Sequence, residues 1–339
     1  MSALVLTWWL FVGFTLTVYV VLDGFDLGAG ALHLHLAKTD EEREDILRSI
    51  GPVWDGNEVW LVVAGATLFL AFPVAFAEAF SGFYLPLNLV LWLLVFRALG
   101  IELRHQGDSP VWKQAWDVSF SGASLLLALC LGVALGNVLR GVDLDAEGHF
   151  FAPLWTDFTT SSPVGVIDGY TLGVGVGALV VLGFHGACWL AWQAEEPVAE
   201  RARLLAGKLF FPAALVLPTL GAATWFVQPQ LQVNFAERPL GLIVPIAGIL
   251  ALIGSFVAQR HELAGRAFAF SAFYLVSLLG SAAFAIFPYV LPAVDPSLSL
   301  GAMDAAGPTH SLTVALWWWI PGVVLGCGYF VFLYRRVVR

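Results

Sequence analysis

Apolar runs of about 20 residues recur along the chain with short polar connections between them, at 4–23, 53–72, 79–99, 118–138, 164–190, 209–227, 240–257, 267–290 and 312–334. Crossing about 30 Å of hydrocarbon takes about 20 apolar residues in helical form, and backbone groups in lipid must be satisfied within the segment. The first run keeps a helical pattern towards Ala37. A transmembrane β-strand would alternate over roughly ten residues, whereas a stretch such as 175–182 is apolar all round. The pattern predicts an all-α, polytopic transmembrane helical bundle of about nine spans.

The basic residues add an orientation. With nine spans, Lys38, Arg43, Arg48, Arg97, Arg104, Lys113, Arg201, Arg203, Lys208, Arg260, Arg266, Arg335, Arg336 and Arg339 share one side, and Arg140 and Arg238 fall on the other. The positive-inside rule then places the N-terminus outside and the C-terminus in the cytoplasm. Eight or ten spans would mix the two sets, so the charges support the count independently of hydropathy. Trp8, Trp9, Trp112, Trp116, Trp192 and the run 317–319 sit near span ends, as interfacial anchors do. The whole chain, 1–339, reads as one integral membrane domain: a four-span block over 4–138, a second over 164–290, and a ninth span at 312–334.

Composition agrees. At 59% hydrophobic and 12% charged residues, with a mean hydropathy of +0.82, too little polar surface exists to coat a water-soluble protein of this size. The net charge of −9 says less than the positions of the charges, and nothing points to nucleic acid. The N-terminal stretch lacks a basic n-region and reads as a retained first span rather than a cleaved signal. Gly169, Gly173 and Gly177 make small-x-x-x-small steps suited to close helix approach. The segment 21–30, VLDGFDLGAG, echoes 166–175, VIDGYTLGVG. The copies lie at opposite ends of their spans, which favours chance over a repeat.

Ionisable residues inside apolar spans mark functional sites by default. Asp23 and Asp26 lie roughly 30 Å along the first span at 1.5 Å per residue, near the cytoplasmic boundary, and Asp55 and Glu58 occupy the first two turns of the second. Four carboxylates therefore fall at one depth on adjacent helices. Each pair is spaced three apart, which lets both members share a face, and such a cluster suits proton uptake and release. A bland reading stands beside it: Asp55 and Glu58 in the favourable field of a helix N-terminus, and Asp23 capping a turn at Gly24.

Other chemistry is thin. His185, deep in an apolar run, reads as an interhelical hydrogen-bonding group, and His33 and His35 as interfacial. With two methionines and no evident axial pair the chain is poorly equipped to hold haem. Cys130, Cys188 and Cys327 lack metal-binding spacing and read as packing residues; no metal site is expected. The connector 39–49 opens with a capping box, Thr39 with Glu42, and reads as a short solvated surface helix.

Four ordered motifs carry a family resemblance: Asp23-Gly-Phe-Asp-Leu-Gly-Ala-Gly30, Gly51-Pro-Val-Trp-Asp-Gly-Asn-Glu-Val-Trp-Leu61, Ala79-Phe-Ser-Gly-Phe-Tyr84 and Phe96-Arg-Ala-Leu-Gly100. The chain resembles subunit II of cytochrome bd ubiquinol oxidase. The likeness is dense over about the first 105 residues and thins afterwards to hydropathy and Phe287-Pro-Tyr-Val-Leu-Pro292 followed by Asp304-Ala-Ala. It implies nine helices and a bacterial cytoplasmic (inner) membrane heterodimer. In that complex the partner, subunit I, holds haem b, haem d and the quinol site, and this chain alone is inactive and has no catalytic residue. It leaves room for a structural quinone or lipid here and for a small single-span accessory subunit. The complex oxidises quinol and reduces dioxygen to water with protons from the cytoplasm. Asp55, at the Trp-Asp-Gly position, would belong to the proton path, with Glu58, Asp23 and Asp26 as extensions and Trp54 and Asn57 in support. The family often has glutamine at the Glu58 position, which counts against an essential role there. A proton-coupled secondary transporter is the rival from another class, and a scaffold without titrating residues is the rival within the complex.

Overall fold

Local chemistry sets the helix ends in the structure, a computed structural model that describes residues 1–338; Arg339, counted above, lies outside the described residues. Ser2 caps α1 (Ala3–Leu36) by accepting from the Val5 amide. Thr39 caps α2 (Asp40–Ile50). Next come α3 (Trp54–Ala71), α4 (Pro73–Gly82), α5 (Tyr84–Leu103) and α6 (Pro110–Arg140). Proline at the first position suits α4 and α6, because the missing N–H would lie unpaired there anyway. A capping box of Asp168 and Thr171 opens α7 (Gly169–Gln193). The remainder is α8 (Val198–Val227), the short α9 (Val233–Glu237), α10 (Ile243–Arg260), α11 (Ala264–Ile286), α12 (Ala302–Ala305) and α13 (Thr309–Val337).

Eight helices among the described residues are long and apolar enough to cross a membrane by length and composition. The helix at the expected second span, α3, is not one of them. It has 18 residues, and Asp55, Asn57 and Glu58 crowd its first two turns. The expected third span, 79–99, is interrupted. Pro86, three residues into α5, cannot donate to the carbonyl of Gly82; that carbonyl accepts instead from the Ala152 amide at 3.1 Å, and the helix restarts at Tyr84.

Close packing runs along α1, α6 and α7. A Cβ on Gly28 of α1 would lie 2.1 Å from the Leu182 carbonyl oxygen of α7, and one on Gly186 would lie 2.4 Å from the Gly28 backbone. A Cβ on Gly132 of α6 would lie 2.7 Å from the Gly175 Cα of α7. The glycine steps singled out in the sequence are less used: Gly177 abuts Leu220 and Val216 of α8, Gly173 barely reaches Leu220, and Gly169 faces open space. Across from α3, α13 is held by hydrogen bonds from Trp319 to Thr67 and from Tyr334 to Asn57.

The end of the bundle that carries Arg140 is stitched by irregular chain. Arg140 pairs with Asp168 and donates to the Gly165 carbonyl and the Asn137 side chain. Gln228 donates to the carbonyls of Arg140 and Ala293. The Phe287–Pro292 motif forms β1 (Tyr289–Leu291), paired antiparallel with β2 (Leu300–Gly301), and the Trp9 indole donates to the Tyr289 carbonyl. The two echoed segments play different parts: Asp168 caps α7, whereas Asp23 lies inside α1.

Candidate functional site

Three helices bring their polar positions to one place: α1 in its last third, α3 in its first two turns and α5 near its end. Arg97 of α5 is fully buried and grips Asp23 of α1 with both arms of its guanidinium, at 2.5 and 3.0 Å. This forked geometry is the strong form of an arginine–carboxylate pair. The same guanidinium reaches Glu58 of α3 at 3.3 Å. Asn57, also on α3, donates to Asp26 at 2.7 Å and to the Leu22 carbonyl at 3.3 Å. Its own side-chain oxygen accepts from the Tyr334 hydroxyl of α13 at 2.8 Å. Since α1 runs ten residues beyond Asp26, the cluster lies roughly 15 Å inside that helix end at 1.5 Å per residue.

Of the four carboxylates expected together, Asp23, Asp26 and Glu58 surround this centre. Asp55 is exposed at the start of α3, its carboxylate accepting from the adjacent Gly56 amide at 2.7 Å. Trp54 is half-buried against the apolar cluster that includes Val53, Phe25 and Tyr334. Sequence reasoning missed Arg97 as a site residue by counting it among the loop charges. Its signal was present in Val95-Phe96-Arg97-Ala98-Leu99, because an arginine inside an apolar run demands a carboxylate partner. Tyr334 had no such signal.

Charge is unbalanced here. Three carboxylates face one guanidinium, and the Asp23 pairing occupies most of it. Asp26 is fully buried with Oδ1 lacking a hydrogen-bond partner, and Arg97 Nε is likewise unpaired. Glu58 keeps 24% of its side chain exposed. The arrangement joins a partly open carboxylate to a closed one, with surplus negative charge that a bound proton would relieve.

A second polar network lies nearer the same end. His33, expected at an interface, is fully buried, 2.8 Å from Asp117 of α6. Asp117 also accepts from Arg104 at 2.7 Å and Arg43 at 3.2 Å. Arg104 continues to Glu44 and Asp40 of α2, and Lys113, hydrogen-bonded to Asp40 at 2.8 Å, holds that carboxyl below the usual carboxylate range. The connector is thus strapped down rather than merely solvated: Ile46, Leu47 and Ile50 are buried beneath it, and Glu42 pairs with Arg201.

His185 is not free to serve as a haem ligand. Both ring nitrogens of His185 are engaged between helices, with Ser271 at 2.7 Å and the Val21 carbonyl at 3.1 Å. His33 holds Asp117 through Nε2 and leaves its buried Nδ1 without a hydrogen-bond partner, and Met303 is exposed. Cys188 packs against Ser255 of α10.

Comparison with known proteins gives a consistent result. The family described as cytochrome bd terminal oxidase subunit II matches residues 4–337. The probable cytochrome oxidase subunit 2 of Haemophilus influenzae is 32% identical, over 97% of this chain and 93% of that protein. Cytochrome bd-I ubiquinol oxidase subunit 2 of Escherichia coli K12 is 32% identical over 91% and 88%. Cytochrome bd ubiquinol oxidase subunit 2 of Bacillus subtilis is 28% identical over the same shares. The fold matches a chain of the bd oxidase of Geobacillus thermodenitrificans with a TM-score of 0.77, covering 98% of both chains at 19% identity.

Proposed function

The chain belongs to the cytochrome bd terminal oxidase subunit II family, and from that footing we propose that its Arg97-centred carboxylate cluster takes up protons for the oxidase. It is a subunit of a bd-type quinol oxidase, a multi-pass protein of the bacterial inner membrane that acts with a partner subunit I and with quinol. A secondary transporter, the rival reading, has no support from this membership.

Within the complex, haems of b and d type held by the partner would carry electrons from quinol to dioxygen. Reduction of dioxygen to water consumes protons, and a dry helical interior conducts them only through closely spaced polar groups. This chain's residues divide the task. Asp55, exposed at the start of α3, collects a proton at the surface. Glu58, one turn on and partly open, receives it. Asp23 is held by the guanidinium fork and serves as the fixed counter-charge, while Asn57, itself held by the Tyr334 hydroxyl, orients Asp26 as the closed end of the cluster. The cytoplasmic facing of this end rests on the distribution of lysine and arginine.

The observation that carries the reading is the excess of buried carboxylate over guanidinium, with one Asp26 oxygen unpartnered. The test is Asp26→Asn and Asp55→Asn in the complex purified with subunit I. Quinol-driven oxygen consumption should slow about tenfold or more, some 1.4 kcal/mol on the barrier, while the haem absorption spectrum stays intact. Unchanged turnover in the assembled complex refutes the proton path and leaves the chain a scaffold.

A further inference from the structure

The polar groups of α1 do not stop at Asp23. Thr15, Tyr19, Asp23 and Asp26 follow one another at spacings of four, four and three, so they lie along one face of the helix, and all four are buried. Thr15 uses its hydroxyl within α1, on the carbonyls of Phe11 and Val12 at 3.0 Å each. Tyr19 does not. It is 2% exposed, and its hydroxyl meets no partner at full hydrogen-bond geometry, with the Asp23 carboxylate in weaker reach. Asp23 of α1, Glu58 of α3 and Arg97 of α5 are the charged groups that act on this hydroxyl.

A buried hydroxyl without a well-formed hydrogen bond is a stability cost that phenylalanine, of the same shape, would avoid. The oxygen therefore contributes nothing to packing that the ring does not already supply. It stands one helical turn, about 6 Å along the axis, on the membrane-interior side of Asp23. A phenol both donates and accepts, so it suits a position where a proton must arrive from one direction and leave in another.

We propose that Tyr19 is the inner relay of the proton path, an inference that rests on the proton-uptake reading above. A proton carried by the carboxylates beside Arg97 is accepted on the phenol oxygen as the phenol's own proton leaves to an acceptor further along, a water or a carboxylate. Rotation about the Cζ–O bond restores the starting state. The phenol stays neutral before and after, one O–H bond forms as one breaks, and no electron moves.

Tyr19→Phe in the intact complex is the direct test, read beside Asp26→Asn and Asp55→Asn. Oxygen consumption should slow by about fivefold or more, with the ratio of rates in H2O and D2O rising and the haem spectrum unchanged; a purely structural tyrosine would not move the isotope ratio. If Tyr19→Phe matches the parent in rate and isotope ratio while the two carboxylate variants are slow, the relay is overturned and the proton path survives without it. If all three match the parent, the proton path itself falls and the relay with it. Should Tyr19→Phe fail to assemble, Tyr19→3,5-difluorotyrosine retains both shape and hydroxyl. A displacement of its pH–rate profile to lower pH then supports the relay, and an unmoved profile overturns it.

Discussion

Arg97→Met removes the guanidinium from a cluster of three carboxylates and leaves the helix-forming character of the position intact. Arg97 is completely buried, forked onto Asp23 at 2.5 and 3.0 Å and 3.3 Å from Glu58. Removing one member of a buried ion pair costs about 3–5 kcal/mol, because the other charge is left uncompensated. At 1.4 kcal/mol per factor of ten, that is roughly two to four orders of magnitude in the folding equilibrium. Unfolding of the purified complex by denaturant, followed through the chain's tryptophans, reads this loss. Arg97→Lys keeps the charge but loses the fork and should fall between the two. Asp23→Leu combined with Arg97→Met should be less destabilising than the sum of the single changes, since the partners are in direct contact. A methionine variant as stable as the parent, with no coupling in the double variant, refutes the claim that Arg97 balances the cluster.

Gly28→Ala drives a methyl group into the Leu182 carbonyl and should cost about 1–3 kcal/mol or more by overpacking, seen as a lower thermal midpoint; Gly169→Ala, facing open space, should be nearly silent. Asp168→Ala removes the α7 cap, worth about 1 kcal/mol, and strands buried Arg140 at about 3–5 kcal/mol; Asp168→Asn preserves the cap and should lose less in the same unfolding assay. The hydrogen bond that the His149 imidazole donates to the Glu78 carboxylate raises its pKa above the ordinary value. Its small contribution is therefore present at acid pH and lost as pH rises through the raised value, and in Glu78→Gln the His149 titration followed by NMR should move back to lower pH.

Much of the architecture was legible because it is local. Runs of apolar residues, the positions of Pro73, Pro110 and Asp168, and the segregation of lysine and arginine each act within a few turns of one helix. They determined the all-α membrane bundle and the end at which its carboxylates gather. The motifs around Asp23 and Trp54 determined the family. Which side chains touch depends instead on how each helix is rotated about its axis, and hydropathy is nearly blind to that when a helix is apolar all round. The contacts of Gly28 with α7 and of Gly132 with Gly175 fix those rotations. Only the tertiary structure therefore turned Arg97 from a loop charge into the partner of Asp23 and Glu58, buried His33 on Asp117, left Asp55 at the surface, and brought Tyr334 from the far end of the chain onto Asn57.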